Sequence, residues 1–259
     1  MLAWLRKGFL IYVLVLVAGG AWLSDRRARD WDAPLWVAIH PVAADSSPAT
    51  SAYLERLDAD TFAPIAEFLT REAEVHGLPL TTPVRLVLAP TLTEGPPPAP
   101  AEASVLGAML WSLRLRWWAW RLDRGDLPPS DVDLFLRYFD PAERSTLAHS
   151  YGLRKGRVAV VNVFASRHQA GSNNVVIAHE MLHTLGAQDR YDPATGLPQY
   201  PHGYAEPSLE PRHPQTLAEV MGGRVPLGPG EARIPGSLGE VVIGALTASE
   251  IGWPVEVAR

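Results

Sequence analysis

Apolar and polar positions along this chain change their spacing several times, and each change marks an element. Leu35-Trp36-Val37-Ala38-Ile39 is a short apolar run and reads as a first strand. Residues 45–51 are mostly small or polar and read as a loop. Beyond them Phe62, Ile65, Ala66, Leu69 and Ala73 recur three and four apart, which predicts a helix capped by Asp60 and ended by Gly77 and Pro79. Alternation in Val84-Arg85-Leu86-Val87-Leu88 predicts a second strand, closed by Pro90. Residues 95–100 are a proline-rich, stiff surface linker. Residues 131–139 and 158–164 read as third and fourth strands. From Val175 to Leu185 the chain is apolar almost all round a helix, as suits a core element.

That last helix nevertheless carries His179-Glu180-Met181-Leu182-His183-Thr184-Leu185-Gly186-Ala187-Gln188-Asp189. Residues four apart share a helix face, so His179 and His183 can turn a ring nitrogen toward one Zn²⁺. Glu180 can hold a metal-bound water as general base. Gly186 can take the left-handed conformation that stops a helix, and the turn brings Asp189 back as a third ligand. Three protein ligands with an open fourth position describe a catalytic zinc. The bland alternative, a core helix whose histidines bond to neighbours, leaves two imidazoles and a carboxylate inside an apolar element needing strong partners.

The motif resembles that of the metzincin clan of zinc metallopeptidases, His-Glu-x-x-His-x-x-Gly-x-x-His/Asp, in the aspartate form of snapalysin-like enzymes. Met221, in Ala218-Glu219-Val220-Met221-Gly222-Gly223, stands where the clan's Met-turn would be expected, and residues 246–252 look like the closing helix of matrixin-like domains. The resemblance implies an α+β, zincin-like domain: a mixed, twisted sheet with a metal-binding active-site helix. It also implies a zinc cofactor and a peptide or protein substrate, with residues 158–164 in the position of the clan's substrate-pairing strand. Two rival readings keep the same metal: a hydrolase of small amides or esters, and a non-catalytic, zinc-stabilised binding protein.

Composition trims these possibilities. A net charge of −5 gives no reason to expect a nucleic-acid partner. The absence of cysteine excludes disulfides, thiolate ligands and a cysteine nucleophile, and with them a cysteine-switch form of latency. Arg6 and Lys7 precede an uncharged, apolar run over residues 8–24. Its length predicts an N-terminal transmembrane helix within residues 1–30, anchoring a 31–259 domain on the extracytoplasmic (periplasmic) side. The alternative is a signal segment cut within residues 18–21, leaving a secreted domain.

Two stretches stand outside this plan. Residues 103–122, within an extra 95–125 segment, mix arginines with four tryptophans. They read as a helix packed on the domain, arginines reaching outward at its rim, in preference to an element lying on a membrane surface. Residues 190–235 are irregular and rich in Pro and Gly, and their place between the third candidate ligand and the Met-turn suggests a site wall. There Tyr191, Tyr200 and Tyr204 are candidate oxyanion donors. His202, His213 and Glu219 are candidate replacements for Asp189, each weighed against a plain surface-loop role. Asp192 reads as a turn cap. His40, His76, His149 and His168 lack metal spacing and receive no function.

Overall fold

A computed structural model of the chain describes residues 29–100, 104–154 and 156–254, with isolated positions 7, 12 and 19. In chain order the elements are β1 (Leu35–Ala43), α1 (Pro48–Leu54), α2 (Ala63–Val75), β2 (Val84–Leu88), α3 (Val105–Arg121), β3 (Val132–Phe139), β4 (Tyr151–Leu153), β5 (Val158–Phe164), α4 (Ala170–Leu185), β6 (Ala218–Glu219), β7 (Val225–Gly228), β8 (Glu231–Arg233), β9 (Val241–Val242) and α5 (Ala245–Glu250). The class is α+β with a mixed sheet. Five strands lie in the order β2-β1-β3-β5-β4, parallel except for β4, which runs antiparallel to β5 at the edge.

Strand sequences explain the layering. Val158-Ala159-Val160-Val161 is apolar without alternation because both faces of β5 are covered. Ala159 and Val161 join Leu134, Leu136, Val37 and Ile39 in a core shared with Phe68 of α2 and Ile177 and Met181 of α4. Val158 and Val160 point the other way and meet Leu115 and Ala119 of α3 with Phe135. Helices α2 and α4 therefore cover one face, and α3 covers the other.

Several expectations are revised. Residues 45–51 are not all loop: Ser47 accepts from the Ala49 amide and Pro48 fills the first turn, so α1 begins there. Asp58, not Asp60, caps the turn that leads into α2, by accepting from the Thr61 amide. The three-residue β4 is too short to show alternation. The expected transmembrane helix is a correction. Among the described residues no helix is long and apolar enough to cross a membrane. α3, at 17 residues, falls short of the roughly 20 apolar residues a span requires and carries Arg114, Arg116 and Arg121. The run at 8–24 lies outside the described residues apart from Tyr12 and Gly19. The anchored, extracytoplasmic placement is accordingly withdrawn.

Two contacts join the sheet to what lies on it. Gly152 of β4 rests on α4 so closely that a Cβ there would stand 2.6 Å from the Glu180 carbonyl oxygen and 2.7 Å from His183 Cβ. The smallest residue thus lets the edge strand lie against the helix that carries the histidines. On the opposite face, Asp133 of β3 is buried among His40 Nε2 at 3.2 Å, Ser130 Oγ at 2.8 Å and Arg124 Nη2 at 2.7 Å. Burial raises the Asp133 pKa, but hydrogen bonds from His40 and Ser130 and the Arg124 charge outweigh it and bring the pKa below 3.8.

Gly152→Ala should cost about 1–3 kcal/mol in urea unfolding by forcing β4 off α4. Gly228→Ala, whose nearest neighbour would be 3.9 Å away, should stay within about 0.5 kcal/mol of the parent. Because the folded-state pKa of Asp133 is depressed, its stabilisation is complete above 3.8 and is lost as pH falls through the lower folded value. Unfolding measured across that acid range should show the loss in the parent and a flatter profile in Asp133→Asn.

Candidate metal centre

α4 ends where the spacing requires. Gly186 adopts φ 115°, and its amide and that of Ala187 return to the Leu182 carbonyl, which closes the helix and reverses the chain. The reversal carries Asp189 to the two histidines. His179 Nε2 and His183 Nε2 are 3.1 Å apart, and Asp189 Oδ1 is 3.1 Å from each. Among the described residues these three form the one group of His, Cys, Asp or Glu side chains with ligand atoms gathered to a point.

The tautomers follow from the partners. His179 Nδ1 lies 2.9 Å from the Val220 carbonyl oxygen and His183 Nδ1 2.8 Å from that of Ala187. A carbonyl only accepts, so both Nδ1 atoms carry the proton and both Nε2 atoms present lone pairs. Two lone pairs and a carboxylate oxygen in mutual contact repel unless a positive charge sits among them. Proton sharing satisfies this in part. Burial lowers the His183 pKa, but hydrogen bonds to Asp189 and the Ala187 carbonyl leave it raised. Burial likewise raises the Asp189 pKa, yet the two histidines drive it well below the usual carboxylate range. A divalent cation satisfies all three acceptors together. Their 3.1 Å spacing is close to the roughly 3.3 Å between ligands of a tetrahedral ion with bonds of about 2.0 Å. Nitrogen, nitrogen and carboxylate oxygen also form a donor set that suits zinc.

Glu180, one residue along α4, is buried, and among the described residues its Oε2 has no hydrogen-bond partner. Burial raises its pKa against the opposing pull of His179 and His183. Tyr191 follows Asp189 closely, and its ring centre lies 6.3 Å from that of His179. Burial, the charge of Asp189 and a hydrogen bond to it push the phenol up to about 12.

The wider candidates separate cleanly. The Tyr204 hydroxyl lies 3.2 Å from His213 Nε2, and its ring packs on Tyr200, which Arg212 covers, so these residues form a cluster with one another. His202 is exposed. Asp192 caps a turn by accepting from the Ala194 amide at 2.7 Å. Glu219 is fully buried and takes no part in the ligand group. It accepts from the Met221 and Gly222 amides at 2.7 and 2.8 Å, from Gly244 at 3.2 Å and from Thr247 Oγ1 at 2.7 Å. Burial still leaves its pKa raised. This carboxylate shapes the turn of Val220 and Met221, from which the Val220 carbonyl orients His179.

Glu250 of α5 is a positioning residue that spacing did not reveal. Its carboxylate accepts from the Gln188 amide at 3.0 Å and pairs with the Arg190 guanidinium, so it grips both neighbours of Asp189. The Arg190 amide is further tied to the Met221 carbonyl at 2.8 Å. The only sequence signal was that α5 follows a Met-containing turn; its contact with the ligand loop spans 62 residues.

No protein-family model matches the chain, and comparison with curated proteins finds no match either.

Titrated with zinc, the chain should bind about one ion, and His183→Ala should abolish that binding. Asp189→Ala should weaken it by more than about a hundredfold and Glu250→Ala by about tenfold, because ligands and their supports differ in this way. Calorimetry or a competing chelator gives the numbers. Parent-like affinity in Asp189→Ala would move the third ligand elsewhere.

Proposed function

We propose that this chain is a zinc-dependent metallopeptidase of metzincin type, a hydrolase of peptide bonds. One observation carries the reading: three acceptors converge at 3.1 Å beside a buried carboxylate that has an unpartnered oxygen. A site that only stabilised the fold would have no use for that carboxylate. His179, His183 and Asp189 would hold the ion. When bound, zinc supplies the positive charge that acidifies a water and polarises a carbonyl.

The chain's own groups supply the rest. Glu180 takes the proton of the attacking water and delivers it to the leaving nitrogen. Burial suits it to both tasks, since a raised pKa makes the carboxylate a better base and keeps the carboxyl an available acid. Tyr191, its phenol held protonated by a pKa of about 12, offers an O–H to the oxygen on which negative charge develops.

An extended peptide needs an unpaired strand to lie against. The expected strand, Val158–Phe164, does not provide one, because β3 pairs it on one side and β4 pairs Val158 to Val160 on the other. Beyond that, Asn162 bonds to Ser150, Ala148 and His149. β4 is one of the sheet's two edge strands, and Gly152 keeps that edge against Glu180 and His183. Peptide pairing with Tyr151–Leu153 would run beside the ligand group. The position of buried Met221 in the turn that holds His179 also supports the metzincin reading.

Glu180→Gln should retain zinc and lose peptide hydrolysis by a factor of about 10²–10⁴. Unchanged turnover in that variant would refute the proposed mechanism. Tyr191→Phe should lower kcat about a hundredfold with little change in KM, measured on a peptide found by library digestion.

A further inference from the structure

α3 packs on the sheet as its sequence suggested, but with fewer than half of its apolar side chains. Leu115 and Ala119 are buried against Phe135, and Trp111 and Trp118 pack beside them. Six others are left in solvent: Leu106 (67% exposed), Met109 (59%), Leu110 (59%), Leu113 (52%), Trp117 (56%) and Trp120 (77%). At 100° per residue these six fall within an arc of about 100°, one continuous stripe along the helix. Single exposed apolar residues are ordinary, whereas a contiguous stripe of large ones marks a contact surface.

The borders of the stripe indicate what it meets. Arg114 and Arg121 flank it on one side, with the Arg121 guanidinium 4.6 Å from the Trp117 ring centre. Arg116 flanks it on the other and lays its stem across Gly156, where a Cβ would come within 2.7 Å of Arg116 Cδ. No Asp or Glu occurs between Val105 and Arg121. Pairing with a second copy along this face would set arginines against arginines with nothing to neutralise them. An anionic, apolar layer meets both requirements: the stripe enters the acyl boundary and the guanidiniums reach the phosphates. Tryptophans suit that interface as well. We propose that the outer face of α3 is a peripheral docking surface for anionic phospholipid bilayers. The contact needs no membrane-spanning helix. Since α4 and the ligand group lie on the opposite face of the sheet, docking leaves them open to substrate.

The chain has no cysteine, so single labels can be placed at will. Full-length Leu113→Cys, Trp120→Cys and Glu74→Cys, the last on the exposed side of α2, would carry a nitroxide and be mixed with phosphatidylcholine vesicles with or without 30 mol% phosphatidylglycerol. Labels at 113 and 120 should become accessible to oxygen and shielded from a water-soluble nickel complex on the anionic vesicles only, while the label at 74 stays exposed. This local readout registers α3 whatever else in the chain touches lipid. Arg114→Gln with Arg121→Gln should lower partitioning about thirtyfold, from roughly 1 kcal/mol per basic residue. The proposal is overturned if the labels at 113 and 120 remain nickel-accessible on sedimented vesicles, or are immersed equally without phosphatidylglycerol. It is also overturned if they broaden one another in lipid-free protein as concentration rises, which would identify a second copy as the occupant.

Discussion

Glu219 is withdrawn from water, and its carboxylate accepts from two amides of the Met221 turn, from Gly244 and from the Thr247 hydroxyl. A carboxyl group in such a place is tolerated because those donors replace its hydration. The same bonds set the relation between the turn and α5. The turn presents the Val220 carbonyl to His179 and the Met221 carbonyl to the Arg190 amide, while α5 presents Glu250 to Gln188 and Arg190. His179 and the loop bearing Asp189 are therefore held from a single buried carboxylate. Removing it would loosen the ligand set before it touched any ligand.

What is held in this way is an arrangement with a built-in electrostatic demand. Both imidazoles are fixed by carbonyl acceptors in the tautomer that turns lone pairs inward, and Asp189 adds a negative oxygen at the same point. Folding energy from α4, whose remaining faces bury Ile177, Met181 and Leu182, keeps the acceptors together despite their repulsion. Such preorganisation suits the binding of a divalent cation. Glu180 belongs to the same arrangement: it is buried beside His179 and His183, with an oxygen that no group among the described residues satisfies.

Much of the frame was legible in residue spacing. The helix of Phe62 to Ala73, the strands of residues 84–88, 132–139 and 158–164, and the glycine stop at Gly186 each follow from periodicity or conformational preference. Short elements escaped for physical reasons. Three residues of β4 are too few for a period, and α1 announces itself only through Ser47-Pro48. α3 shows the limit most plainly. Its apolar residues run around both sides of the helix, so periodicity could not tell which half packs inward. The sheet chose Leu115 and Ala119 and left Leu113 and Trp117 outside. The apolar run near the amino terminus had suggested a spanning helix, and among the described residues none meets that requirement.

The sequence by itself determined the chemistry available at one helical face: two imidazoles four residues apart, a carboxylate beside the first, and a glycine that lets an aspartate return. These are local facts, set by the pitch of a helix and by one left-handed residue. Only the tertiary structure decided which distant groups complete the centre. Val220, Glu219 and Glu250 act on it across 41, 28 and 62 residues of separation, counting their bonds to His179, Thr247 and Gln188. It also decided that β4, and not β5, forms the sheet's edge beside α4. Such pairings arise from packing layers against one another, and no spacing along a chain encodes which buried donor a given carboxylate will find.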